Sequence, residues 1–428
     1  MLEIIPRPIS RATVRVPGSK SYTHRVLIAA ALAEGESLVD GALFSRDTEL
    51  TARALESFGA GISADSGQCR FAVKGTGGSL QPYSGDIYLE NSGTSMRLLT
   101  AIAALGRGDY ILDGTPRMRQ RPMAELLAAL RQLGVPALSL AGSGCPPIRI
   151  TGGHLIGGPV EIDCGISSQY LSGLLLAAPL TEKGMDIRVV KGPVSRPYIE
   201  LTLTVMRRFG IEVEHRDYLE FSVAGGQRYQ PGNYLVEPDC SQAGYFWAAA
   251  AICGAEITVL GIEAGSAQGD LNFVRVLEEM GCRVEFSGEG ITVTGGPKLR
   301  AVDVDMGNMP DLVPTLAVVA AFAEGTTTIT NVAHLRAKES DRLAAVAAEL
   351  GKIGIEAECG PDTITVTGGT PHGAAIKTYD DHRIAMSFSL VGLKTPGIHI
   401  EDEMCVSKSF PNYWDVFHQL GSDKLGSE

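Results

Sequence analysis

An α/β fold assembled from six copies of one unit is predicted by three features of this sequence. First, an apolar-periodic run ending in glycine recurs six times: LESFG (Gly59), LRQLG (Gly134), MRRFG (Gly210), LEEMG (Gly281), LGKIG (Gly354) and FHQLG (Gly421). The spacings are 75, 76, 71, 73 and 67 residues. Second, another glycine landmark follows the first five copies, at Gly78, Gly153, Gly226, Gly296 and Gly369, with spacings of 75, 73, 70 and 73. Third, each copy reads as helix, strand, helix, strand, strand. Two landmarks sharing a period of about 72 residues mark an internal duplication that fills the chain. The duplication also explains why glycine is in excess, with 51 residues in 428.

The elements of a copy follow in order. A short helix that is apolar all round comes first: RVLIAAALAEG (25–35), RLLTAIAALGRG (97–108), QYLSGLLLAAPL (169–180), GYFWAAAAICG (244–254), LVPTLAVVAAFAEG (312–325) and RIAMSFSLVGL (383–393). Helices without a polar face belong in a core. A β-rich run follows, such as SLVDG (37–41) or EITVLG (256–261). Next comes an amphipathic helix, such as TELTARALESFG (48–59), with apolar residues three and four apart and glycine at its C-cap. Two short strands complete the unit, as in CRVEFSGEGITVTGG (282–296). The sixth copy lacks these strands, because DKLGSE (423–428) follows its last helix closely. The β-like N-terminal segments LEIIPRP and ATVRVPG then close the fold by pairing with the C-terminal copies. The expected division is two domains of three copies each, 19–236 and 1–18 plus 237–428. Two crossings, near 17–19 and 236–239, form a hinge geometry.

Composition narrows the class. Apolar residues make up 44% and charged residues 20%, enough for large cores and too few charges for a disordered polyelectrolyte. Lys plus Arg is 37 against 49 Asp plus Glu, a net charge of −12, which argues against nucleic acid or acidic lipid as partners. The eight Cys are scattered without CxxC or His/Cys clustering and read as buried free thiols of a reducing cytoplasm. No run of 18 apolar residues predicts a membrane span, and the N-terminus has neither a signal h-region nor a presequence pattern. A cytoplasmic location is expected.

Polar motifs gather at helix starts. KSYTHR (20–25), NSGTSMR (91–97), SSQ (167–169), DCSQ (239–242), MPD (309–311) and DDHR (380–383) precede the buried helices. RQRPM (119–123), SRPY (195–198), KESDR (338–342) and KSFPN (408–412) open amphipathic ones. N-capping alone accounts for the Ser, Thr, Asp and Asn. It does not account for Lys20, Arg25, Arg97, Arg121, Lys338, Arg342, Arg383 and Lys408, since the macrodipole disfavours cations there. An anionic ligand carrying phosphate or carboxylate would bridge dipole and cation.

Acid–base candidates share these places. Asp311 is either a plain cap or a general base; Glu339 is either a capping-turn carboxylate or a proton donor. His334 and His382 add further titratable groups. Cations depress carboxylate pKa values, which suits Asp311 as a base and opposes Glu339 as an acid, so Lys338 or Lys20 can share or take the donor role. Nothing here matches G-x-G-x-x-G after a strand, a Walker Lys, G-x-S-x-G or metal-ligand spacing.

PGSKSYTHR (17–25), NSGTSMRLL (91–99), SSQ (167–169), RPYIELT (196–202), MPD (309–311), KESDR (338–342), DDHRIAMSF (380–388) and KSFPNYW (408–414) resemble the 5-enolpyruvylshikimate-3-phosphate synthase family of enolpyruvyl transferases, in order over nearly the whole chain. The resemblance implies a two-domain inside-out α/β barrel with three repeated units per domain, in agreement with the repeat count. It implies transfer of the enolpyruvyl group of phosphoenolpyruvate to the 5-hydroxyl of 3-phosphoshikimate, in the shikimate route to aromatic amino acids. The family mechanism is addition then elimination. The expected protein is a monomer without metal or organic cofactor.

Carried over position by position, Lys20 touches both substrates. Ser21 and Arg25 hold phosphoshikimate, Ser167, Ser168 and Ser195 hold its 3-phosphate, and Gln169 lies between the ligands. Gly93, Arg121, Arg342, Arg383 and Lys408 hold phosphoenolpyruvate. Asp311 matches the proton acceptor, also against phosphoshikimate, Glu339 the donor and Lys338 a phosphoshikimate contact. His334, a further expected contact, stands where some members have Asn, and Leu98 where some have Pro. Retention of Gly93 implies sensitivity to glyphosate, which mimics phosphoenolpyruvate. Closure of the lobes would bring the base and donor onto the ligands and exclude water.

Three rivals remain. The related transferase acting on UDP-N-acetylglucosamine usually carries a loop Cys, and TPRMRQRPM (115–123) has none. A non-catalytic anion binder on this scaffold would have lost Asp311, Lys20 or Glu339. An RNA-end-processing relative is opposed by the acidic charge.

Overall fold

The computed structural model describes residues 1–421, so the DKLGSE stretch lies outside the described residues. The chain divides into two compact units, one of Gly18–Val236 and one of Met1–Pro17 with the chain from Glu237 onward. Each unit is an inside-out α/β barrel, with apolar helices at its centre and sheets outside.

In the Gly18–Val236 unit the central helices are α1 (Lys20–Leu32), α3 (Gly93–Ala103) and α5 (Gln169–Ala177); the amphipathic ones are α2 (Arg46–Ser57), α4 (Ala124–Gln132) and α6 (Pro197–Arg208). The second copy shows the sheet pattern. Its strand Gly108–Asp113 lies between a parallel lead strand, Asp86–Tyr88, and the hairpin strand Ile148–Gly152, with Ala137–Ser139 at the edge. The lead strand is an addition to the expected order of elements. With three residues here, it is too short for alternation to reveal, and its partner lies beyond an intervening helix, as parallel pairing requires. The last lead strand, Asn233–Leu235, returns to Glu36–Asp40 of the first copy and closes the unit.

The other unit repeats the plan with α7 (Cys240–Cys253), α9 (Val313–Ala320) and α11 (His382–Ser389) at the centre. Around them lie α8 (Phe273–Glu279), α10 (Arg342–Lys352) and α12 (Tyr413–Gln419). The N-terminal segment completes it. Arg11–Val14 is the parallel lead strand of Glu256–Val259, and Leu2–Ile4 pairs antiparallel with Ile398–Ile400, where other copies place a hairpin strand. Ile4 is buried where Gly392 leaves room; a Cβ at 392 would sit 2.4 Å from that of Ile4.

Both glycine landmarks have a physical cause. The six residues Gly59, Gly134, Gly210, Gly281, Gly354 and Gly421 all have φ between 78° and 108°, the left-handed cap expected of them. The GG pairs bring each hairpin against the end of a buried helix. A Cβ on Gly152 would lie 2.4 Å from the Gly106 carbonyl oxygen, and one on Gly368 only 1.7 Å from that of Ala323.

The thiols depart from expectation: Cys164, Cys240 and Cys282 are buried, but Cys69 and Cys359 are exposed, and all are unbridged. No helix among the described residues is long and apolar enough to cross a membrane.

Candidate active site

KSYTHR (20–25) lies within the first turns of its helix, whereas RQRPM (119–123) and KSFPN (408–412) end just before α4 and α12. Ser19 caps α1, its Oγ accepting the Tyr22 N–H, so the helix begins at Lys20, five residues earlier than its apolar run. Lys20 Nζ lies 3.6 Å from Asp47 Oδ2 on α2, both buried. Ser21 is half-buried on the same turn, and its carbonyl accepts Arg25 Nη1 at 2.9 Å. Arg25 donates through Nε to Thr202 Oγ1 at 2.7 Å and through Nη2 to the Tyr198 carbonyl at 3.1 Å and Ser172 Oγ at 3.3 Å. Complete burial pulls its pKa down to about 10, which leaves it charged at neutrality.

Gln169 opens α5. Its N–H donates to Ser167 Oγ at 3.3 Å, its Oε1 accepts Arg97 Nη1 at 2.8 Å, and its Nε2 donates to Thr94 Oγ1 at 2.9 Å. Ser168 Oγ donates to the Ser195 carbonyl at 3.5 Å, and Ser195 is held at φ +54° beside the start of α6. At the start of α3, Gly93 faces the guanidinium of Arg121, which donates to the Asn91 carbonyl at 3.0 Å. A Cβ on residue 93 would lie 2.4 Å from Arg121 Nη2. Hydroxyls tie these helices together: His24 Nδ1 meets Thr51 Oγ1 at 2.7 Å, Thr51 meets Ser95 at 2.7 Å, and Ser95 meets Ser92 at 2.6 Å.

In the other unit, Asp311, Glu339, Arg342 and Arg383 form one ion-pair cluster. Arg342 donates to Asp311 Oδ1 at 2.9 Å, Glu339 Oε2 at 2.8 Å and Asp381 Oδ2 at 2.8 Å. Arg383 takes the other oxygen of Asp311 at 2.9 Å and Tyr245 OH at 3.1 Å. Burial works against the charge on Arg342, but Asp381, Glu339 and Asp311 outweigh it and hold its pKa above the ordinary arginine value. His334 is buried, and desolvation, with Lys338 second, brings its pKa down to about 3, so its ring is neutral. Asp311 and Arg342 also act on His334 electrostatically. Lys338 and Lys408 are half-buried, each at the end of a 3₁₀ turn. Beside Lys408, the Ser409 carbonyl accepts Gln242 Nε2 at 3.2 Å from α7.

Three of the cations at helix starts have carboxylate partners within the chain: Asp47 beside Lys20, three acids around Arg342, and Asp311 beside Arg383. Arg25, Arg97 and Arg121 donate to neutral oxygens of Thr202, Gln169 and Asn91.

Sequence reasoning missed several participants. Asp381 sits inside the quoted DDHR motif; it caps α11 through the Arg383 N–H and grips Arg342 as well. Asp47 reads as an ordinary acid of a first turn. Tyr245 lies in an apolar run, and its hydroxyl, raised by burial to about 12, stays protonated. Asp270 accepts Ser241 Oγ at 2.7 Å, and burial followed by the Asp311 charge raises it to about 7. Among the described residues, no group of three or more His, Cys, Asp or Glu is arranged to hold a metal ion.

Comparison with known proteins places nearly the whole chain. The chloroplastic 3-phosphoshikimate 1-carboxyvinyltransferase of Arabidopsis thaliana is 45% identical, over 98% of this chain and 84% of its own. The 3-phosphoshikimate 1-carboxyvinyltransferase of Photobacterium profundum is also 45% identical, over 97% of this chain and 98% of its own. A solved EPSP synthase from Acinetobacter baumannii superposes with a TM-score of 0.81 at 30% identity, covering 98% of both chains. The description of the family EPSP synthase (3-phosphoshikimate 1-carboxyvinyltransferase) matches residues 6–417, and to that family this chain belongs.

Proposed function

We propose that this chain transfers the enolpyruvyl group of phosphoenolpyruvate to the 5-hydroxyl of 3-phosphoshikimate and releases phosphate. The observation that carries the reading, within a chain of this family, is Asp311. Its carboxylate is held from both sides by Arg342 and Arg383, with Glu339 on the same guanidinium. In this reading Asp311 accepts the hydroxyl proton as the oxygen bonds to C2 of phosphoenolpyruvate. The alkene electron pair takes a proton at C3 from Glu339 or Lys338, giving a tetrahedral adduct. Loss of a C3 proton and of phosphate from C2 then restores the alkene, so the step consumes no net proton at carbon.

Arg121, Arg342, Arg383 and Lys408 carry the charge of phosphoenolpyruvate, and Gly93 leaves space beside Arg121. Lys20 serves both substrates. Ser21, Arg25, His334 and Lys338 hold phosphoshikimate, and Ser167, Ser168 and Ser195 hold its phosphate. Gln169, fixed by Arg97 and Thr94, stands between the ligands. The protein works in the cytoplasm as a monomer and engages neither nucleic acid nor membrane.

Phosphate release from phosphoenolpyruvate tests the reading. Release should require 3-phosphoshikimate and should fall by about 10²–10⁴-fold in Asp311→Ala and in the isosteric Asp311→Asn. In the same assay glyphosate should compete with phosphoenolpyruvate, and UDP-N-acetylglucosamine should not replace 3-phosphoshikimate. Folded protein without release, or release supported by the UDP-sugar alone, would sink the assignment.

A further inference from the structure

One buried carboxylate takes no part in the reaction above. Glu349 is on α10, seven residues after Arg342 and therefore two turns along the same helix face. It is wholly buried and accepts the Lys377 N–H at 3.0 Å, the Tyr379 hydroxyl at 2.7 Å and Lys352 Nζ at 2.8 Å. Arg342, at the other end of that face, holds Asp381. One helix thus grips the segment 377–381 at both ends.

Between the grips the backbone is strained. Tyr379 and Asp380 are consecutive non-glycine residues in the left-handed region, at φ +57° and +54°. Such a pair persists only where its surroundings fix it. Behind the bend stands Glu349. Ahead of it, the Asp381 carboxylate receives Arg342 Nε at 2.8 Å, Ser340 Oγ at 3.0 Å and the Arg383 N–H at 3.0 Å. The bend therefore sets where Asp381 meets Arg342 and where α11 presents Arg383.

We propose that Glu349 is a positioning residue for the phosphoenolpyruvate site. By fastening Lys377 and Tyr379 to α10, it keeps the left-handed bend in place and so aligns Arg342, Asp381 and Arg383. The inference rests on the reading that these arginines receive phosphoenolpyruvate.

The test is steady-state kinetics of the full chain carrying Glu349→Gln or Tyr379→Phe, with both substrates varied and folding checked by circular dichroism. Glu349→Gln should raise KM for phosphoenolpyruvate about tenfold, with a smaller rise in Tyr379→Phe, while KM for 3-phosphoshikimate stays within about twofold. Asp380→Gly, which relieves the left-handed strain at an exposed position, should recover much of that loss in the Glu349→Gln background. An unchanged KM for phosphoenolpyruvate in both folded variants, equal rises for the two substrates, or no recovery with Asp380→Gly would overturn the proposal. If the unmodified chain releases no phosphate, the functional reading fails by itself. Calorimetric titration with phosphoenolpyruvate alone then decides: weaker binding by Glu349→Gln supports the inference, and equal or absent binding overturns it.

Discussion

Asp270 is a buried carboxyl group whose surroundings favour its neutral form. Burial is the largest cause of its rise to about 7, followed by the charge of Asp311. A carboxyl with a folded pKa above its ordinary 3.8 binds its proton more tightly in the fold than in the unfolded chain. Its contribution to stability is full below about pH 4 and is lost as the pH climbs through about 7. Asp270→Asn should therefore flatten the decline in urea midpoint between pH 4 and 8; a decline as steep as that of the unmodified chain would refute the assignment. At this scale legibility was uneven. Lys20, Arg342 and Arg383 stand out because a cation at a helix start needs a reason, and Asp311 and Glu339 because they share motifs with such cations. Asp270, Tyr245 and Glu349 do not, because nothing in a linear pattern distinguishes a buried acid or phenol that answers another element from one on a solvated face.

Helix ends were the most readable elements. Glycine in a left-handed cap is a local requirement, so six recurrences of it expose the repeat without any tertiary knowledge. The same requirement makes a clean test at Gly254, the cap of α7 at φ +68°, where an added Cβ would meet nothing within 4 Å. Gly254→Ala should cost about 1 kcal/mol, all of it backbone strain, and Gly254→Asn less; both are read from urea unfolding. Loss of several kcal/mol would mean a packing conflict instead. Apart from Arg11–Val14, the lead strands are not legible in the sequence, because three to six residues paired across a helix carry no periodic signal. The start of α1 is placed late for a related reason: Lys20 to Arg25 are helical, and all but Ser21 are buried despite their polarity.

At the scale of the molecule, each unit contains its own hydrophobic centre, but they differ in continuity. The Gly18–Val236 unit is one stretch of chain, closed by Asn233–Leu235 on Glu36–Asp40. Residues 18–236 expressed alone should thus unfold in a single cooperative transition by circular dichroism. Residues 237–428 alone should not, and a peptide of residues 1–17 should restore their transition. Independent cooperative folding of 237–428 would contradict the structural weight given to the N-terminal strands. The six-fold architecture itself was readable because duplication writes the same local rules repeatedly.

The pairing of Leu2–Ile4 with Ile398–Ile400 also sets a schedule for synthesis. Leu2–Ile4 is translated nearly 400 residues before its partner. At ordinary elongation rates the nascent chain carries this unpaired strand for roughly 20 to 80 s. The intervening unit can fold during that wait. Leu2–Ile4 is thus a stretch that a holding chaperone would cover throughout that wait.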